Sequence, residues 1–168
     1  MELAYQIVNK CLKISEKDNV TIFTYPHTIP LAEDMAEECF KKGADVLLNL
    51  YTDRYQLSYM KELSVDSLRQ PSAFCRALTE SSTVLIWVGS AYDPAILRAA
   101  TPEKAAASSE GEAKAHYPLQ KERKVRTLAL GLSLVTRPRA KAYGFNLDEW
   151  QKVMVRACKV DHDKLEEM

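Results

Sequence analysis

Glycine is scarce in this chain, five residues in 168, and only Gly89 follows a strand-like run at a suitable place. Neither the Gly-x-Gly-x-x-Gly fingerprint of dinucleotide sites nor the Gly-x-x-x-x-Gly-Lys loop that cradles nucleotide phosphates occurs, which argues against both kinds of site. Gly-x-Ser-x-Gly and His-Glu-x-x-His are missing too, so serine hydrolysis and zincin chemistry lack their signatures. An excess of one charge is also lacking. With 23 basic and 23 acidic residues, the chain has no bulk field to draw in nucleic acid or anionic lipid. No apolar run approaches the ~20 residues of a membrane span. The opening Met1-Glu2-Leu3-Ala4-Tyr5-Gln6 has neither the basic region nor the apolar core of a signal peptide. The expected location is the cytoplasm, with no membrane and no nucleic-acid partner. Cys11, Cys39, Cys75 and Cys158 form no Cys-x-x-Cys pair and read as reduced core or near-core thiols rather than metal or redox ligands.

What is present is ordinary globular composition, 46% hydrophobic and 27% charged, at a length that suits one domain, residues 1–168. Leu3, Ile7, Cys11 and Ile14 recur at helical spacing and predict a first helix ending near residues 16–19. Residues 20–25 are β-branched or aromatic and are stopped by Pro26, which predicts a strand. Leu31, Met35, Cys39 and Phe40 mark a second helix, with Pro30 near its first turn and Gly43 as a left-handed exit. A strand over 45–51, helices over 54–63 and 72–79, and a nearly unbroken apolar strand over 83–88 follow; the last suits a central parallel strand buried on both faces. Thr101-Pro102 opens a helix expected to run to about His116, weakened by Gly111. Leu128, Leu130, Leu132 and Leu134 alternate with smaller residues and predict a strand at a sheet edge. Asn146-Leu147-Asp148-Glu149 reads as a capping box, with Phe145 and Trp150 as its staple and Leu147, Trp150, Met154 and Ala157 on the buried face. A short last helix starts at Asp161.

Helices alternating with strands imply an α/β fold, an open, mostly parallel sheet with helices on both faces, a three-layer sandwich. Ligands of such sheets gather at the carboxyl ends of the strands. That rim carries Tyr25-Pro26-His27, Tyr51-Thr52-Asp53-Arg54, Gly89-Ser90 and Thr136-Arg137-Pro138-Arg139. Tyr92-Asp93-Pro94 is a turn into a helix, Asp capping and Pro leading. Asp53 and Arg54 read as a pair at a helix start, His27 as a turn residue, His116 as lying at a polar helix end, and Trp87 as core. The run 121–126 reads as a solvated surface before a strand. Asp161, His162 and Asp163 include metal-ligand types, but adjacent helical residues point in different directions, so they are not read as a metal site. Tyr92, Asp93, Arg137 and Arg139 are the candidates for a surface facing another domain or the substrate.

The order of segments, with Phe40-Lys41-Lys42-Gly43-Ala44, Asp93-Pro94 and Thr101-Pro102-Glu103-Lys104, resembles the amino-terminal domain of the thermophilic-type metallo-aminopeptidases, the family of aminopeptidases T and S. The closing stretch carries most of the likeness: Thr136-Arg137-Pro138-Arg139-Ala140-Lys141, Gly144-Phe145-Asn146-Leu147-Asp148-Glu149-Trp150, Arg156-Ala157-Cys158 and Val160-Asp161. The resemblance implies proteolysis by a cytoplasmic exopeptidase, in which two divalent metal ions such as zinc, cobalt or magnesium activate a water and polarise the scissile carbonyl. It places the ligands in a carboxy-terminal catalytic domain that no segment here matches. The expectation is a non-catalytic amino-terminal domain, inactive alone, whose partners are that catalytic domain and peptide substrates; a homodimer stays open. The alternative is a stand-alone α/β ligand-binding or regulatory module.

Overall fold

Four short strands, β1 (Asn19–Thr24), β2 (Asp45–Leu50), β3 (Val84–Trp87) and β4 (Arg126–Ala129), lie parallel in the order β2-β1-β3-β4. The computed structural model describes residues 2–158. Its helices are α1 (Glu2–Tyr5), continued by a π-helical turn over Gln6–Cys11, α2 (Ile29–Phe40), α3 (Asp53–Glu62), α4 (Val65–Arg69), α5 (Ala73–Ser81), α6 (Pro102–Arg123), α7 (Arg137–Tyr143) and α8 (Leu147–Cys158). This is the expected open α/β sandwich.

Strand alternation divides the core. Val20, Ile22, Val84 and Ile86 turn to one face and meet Ile7, Val8, Leu12, Met35 and Cys39 of the α1 and α2 side. Met35 is fully buried, and truncating it to Ala would cost about 2–5 kcal/mol. The opposite face is packed more thinly: Phe23, Leu85 and Val125, with Leu78 and Trp87 against them, lie toward α5 and α6. The inner strands β1 and β3 bury nearly every residue, whereas β2 exposes Leu47, Leu48 and Leu50. Chain order reverses between β1 and β3, so the crevice at their carboxyl ends is the topological switch point.

The structure corrects several sequence expectations. The first helix does not run on to residues 16–19, because the Leu12 amide donates to Ile7 O at 2.9 Å, five residues back. That wide turn moves the buried face from Cys11, which is exposed, to Leu12. Cys39 alone of the four cysteines is fully buried. Phe40 is exposed despite its spacing. The alternating leucines form a strand only through Ala129: the last ladder bond runs from Leu130 N–H to Trp87 O at 2.9 Å, β3 ends there, and Gly131–Leu134 closes into a 3-10 turn. Helix α6 passes His116 and Pro118, ending at Lys124 in the left-handed region. The Asn146 cap is present, its Oδ1 accepting the Glu149 amide at 3.1 Å, with Phe145 and Trp150 ring centroids 5.3 Å apart. Ala157, however, is exposed. The expected last helix lies outside the described residues.

Gly111 has a tertiary reason. A Cβ there would stand 2.2 Å from Leu68 O and 2.9 Å from Gln70 O, so glycine lets α6 cross the end of α4 backbone to backbone.

Candidate functional site

At the strand-end rim the segment after β3 is clamped from three directions. Thr52 caps α3 by accepting the Tyr55 amide, which sets Asp53 in the first turn. Its two carboxylate oxygens accept the amides of Tyr92 and Asp93 at 2.9 and 3.1 Å. Thr136, the cap of α7, donates its hydroxyl to Tyr92 O at 2.7 Å. Arg139, one turn into α7, donates through Nη2 to Ala91 O at 2.9 Å and to Ser90 Oγ at 3.4 Å. Asp93 then caps the 3-10 turn Pro94–Ala99, its Oδ1 accepting the Ala95 amide at 2.8 Å. The clamp fixes Tyr92, 42% exposed, edge-on to His27 at 5.3 Å between ring centroids. His27 Nε2–H donates to Ser133 O at 3.3 Å, and its Nδ1 is buried with no protein partner.

Of the four candidate surface residues, Tyr92 and Arg137 stand on the rim and Asp93 is half-buried there. Arg139 does not reach the surface: it is 6% exposed, and its guanidinium is turned inward on the Ala91 carbonyl and the Ser90 hydroxyl. Asp53 binds the 92–93 amides rather than Arg54. Sequence reading missed this because the partners are about 40 residues apart, and no local pattern joins them.

Below the rim, between the thinly packed sheet face and α6, lies a cavity of about 540 Å3. Phe23 and Trp87 are register partners on β1 and β3, and their rings lie nearly parallel with centroids 5.0 Å apart. Tyr51, at the end of β2, stacks on Phe23 at 6.2 Å, so three rings floor the cavity across three strands. Trp87 is thus only partly buried, wall rather than core. The His116 imidazole stands edge-on over Phe23 and Trp87. Its Nδ1 lies 2.7 Å from Thr79 Oγ1, which donates its own proton to Cys75 O at 2.9 Å. Thr79 therefore accepts from Nδ1–H, and burial pushes the His116 pKa down. In the neutral ring Nε2 carries the lone pair. Glu112, one turn before His116 on the same helix, has accessible surface, yet the surrounding walls desolvate it enough to raise its carboxyl pKa.

Residues 1–167 match the model of the thermophilic metalloprotease (M29) family. The chain belongs to that family. Wild-type AmpT from Thermus thermophilus is a similar solved structure, with a TM-score of 0.63 and 16% identity. The alignment covers 94% of this chain and 41% of that one, so the chain spans about two fifths of that relative's length, and at this identity the likeness is one of fold. A comparison with curated proteins finds no match. The resemblance read from the sequence thus holds at the level of the family, a metal-dependent peptidase family. Among the described residues no three His, Cys, Asp or Glu side chains converge to hold a metal ion. The described part of this M29 chain does not fit a metal centre; Asp161, His162 and Asp163 lie outside it. No helix of the described residues is long and apolar enough to cross a membrane.

Proposed function

We propose that this chain is the amino-terminal, non-catalytic domain of a metal-dependent aminopeptidase, which covers one side of an active-site cleft built by a carboxy-terminal domain. The observation that carries this reading is a mismatch of lengths: the M29 family model matches residues 1–167, yet the chain covers only 41% of AmpT. In the reading, the two divalent ions belong to the other domain. This domain limits which peptides enter and helps exclude water, and it works in the cytoplasm.

The clamped rim is the surface we assign to that task. A loop held by Asp53, Thr136 and Arg139 presents Tyr92 and Asp93 without freedom to collapse, next to Arg137 at the start of α7, which suits a docking or substrate-facing edge. Arg139 serves as a strut. The test is the gene on the 3′ side of codon 168, and the enzyme it encodes. An acidic, histidine-containing domain is expected to follow, and Tyr92→Ala or Arg137→Ala in the joined protein should change peptide KM or kcat severalfold. A frame that stops at residue 168, or unchanged kinetics in both variants, overturns the respective part of the proposal.

A further inference from the structure

The cavity under α6 has a chemistry that the peptidase reading does not use. Its floor is the stacked set Tyr51, Phe23 and Trp87, and ring faces carry negative electrostatic potential. Its polar groups toward α6 and α3 include acceptors without donors. Gln56 lines it, with Oε1 buried and no donor in the protein. The Thr79 bond fixes the His116 tautomer and leaves Nε2 as an acceptor. Glu112 supplies a carboxyl one turn away, and no lysine or arginine is among the lining residues. Glu112 thus sets a carboxyl, still open to solvent, at the edge of a ring-lined cavity that has no basic side chain in its lining.

We infer that this cavity binds a small organic ammonium compound with a flat apolar body, of the arylalkylamine class. The ammonium pairs with Glu112 and gives its remaining N–H groups to Gln56 Oε1 and His116 Nε2. The body lies on the ring floor, where cation and ring attract each other as well. A volume of about 540 Å3 falls in the range of small-molecule sites. The open side of the cavity gives a route in, since Glu112 and Tyr117 are accessible. The inference concerns this chain alone and does not depend on a second domain or on metals.

The test uses the 168-residue chain with phenethylammonium, 2-phenylethanol and phenylacetate, which share a body and differ in charge. Trp87 and Trp150 are the two tryptophans, so a Trp150→Phe background leaves Trp87, in the cavity floor, as the fluorescence reporter. Phenethylammonium should quench it saturably, with 2-phenylethanol at least tenfold weaker and phenylacetate weaker still. Tenfold corresponds to about 1.4 kcal/mol. Glu112→Gln should bring the amine down to the affinity of the alcohol. Ala113→Leu, which fills the cavity from the same helix, should abolish binding of all three and serves should the first variant fail to fold. Equal affinity for alcohol and amine, unchanged amine binding in either variant, or no saturable quenching by the amine overturns the inference.

Discussion

Replacing Gly111 by Ala sets two well-known effects against each other, and the structure decides the sign. In an isolated helix the change is favourable by about 1 kcal/mol, because glycine loses more backbone freedom on folding. In this chain the new Cβ would sit 2.2 Å from Leu68 O, where ordinary contact begins at 3.4 Å. One backbone has to retreat from the other by roughly 1 Å, and no flexible side chain is there to yield. Overpacking of this kind costs about 1–3 kcal/mol or somewhat more. With no side chain to yield, the cost lies in the upper part of that range and the clash wins, for a net loss of up to about 2 kcal/mol and a fall in melting temperature of up to about 8 °C at this chain length. Thermal melts and urea titrations of the two chains measure it. A synthetic peptide of residues 101–124 should respond the opposite way, with higher helicity for Gly111→Ala by circular dichroism. A chain that melts higher after the substitution would refute the backbone-to-backbone crossing of α4 and α6.

Other expectations concern groups that hold the frame. Burial alone would raise the Asp18 carboxyl, but hydrogen bonds from Arg126, Thr83 and Ser15 outweigh it and hold the pKa at about 2. A carboxyl depressed below its unfolded value contributes stability that is present above that value and lost as pH falls through the folded one. About 2 kcal/mol should therefore disappear between pH 4 and about pH 2, and Asp18→Asn should flatten this part of a stability–pH curve. Asp53→Ala removes the acceptor of two rim amides; it should cost about 1–3 kcal/mol and speed hydrogen exchange at Tyr92 and Asp93 more than at Ile22 in β1. Thr79→Val deletes the partner of His116 Nδ1 and should raise the Kd of phenethylammonium in the Trp87 titration while leaving the Asp18 acid transition in place.

Much of this fold is written locally. Residues 20–25 and 83–88 announce strands by composition, and Thr101-Pro102, Asp93-Pro94 and Asn146 announce helix starts by their caps, because each signal needs only a few neighbouring residues. Errors arose where distant structure decides. Four alternating leucines look alike in sequence, yet strand β4 can extend only as far as β3 supplies a partner, and Trp87 is where it ends. Cys11 and Leu12 exchange places through one π turn that helical periodicity does not contain. Gly111 reads as a weak point of a helix until the carbonyl of Leu68, 43 residues earlier, is seen above it. The rim was legible as a place, since carboxyl ends of parallel strands collect ligands whatever the sequence. Its clamp and the cavity beneath it were not, for Asp53 with Tyr92 and Thr79 with His116 meet only in three dimensions.

The central claim is that these 168 residues shelter a reaction carried out by another domain. Hydrolysis of L-leucine p-nitroanilide by the purified chain, supplied in turn with zinc, cobalt and magnesium, tests it most directly. The account predicts release of p-nitroaniline at the rate of the protein-free blank under all three ions. Release proportional to protein concentration and abolished by a chelator would contradict it.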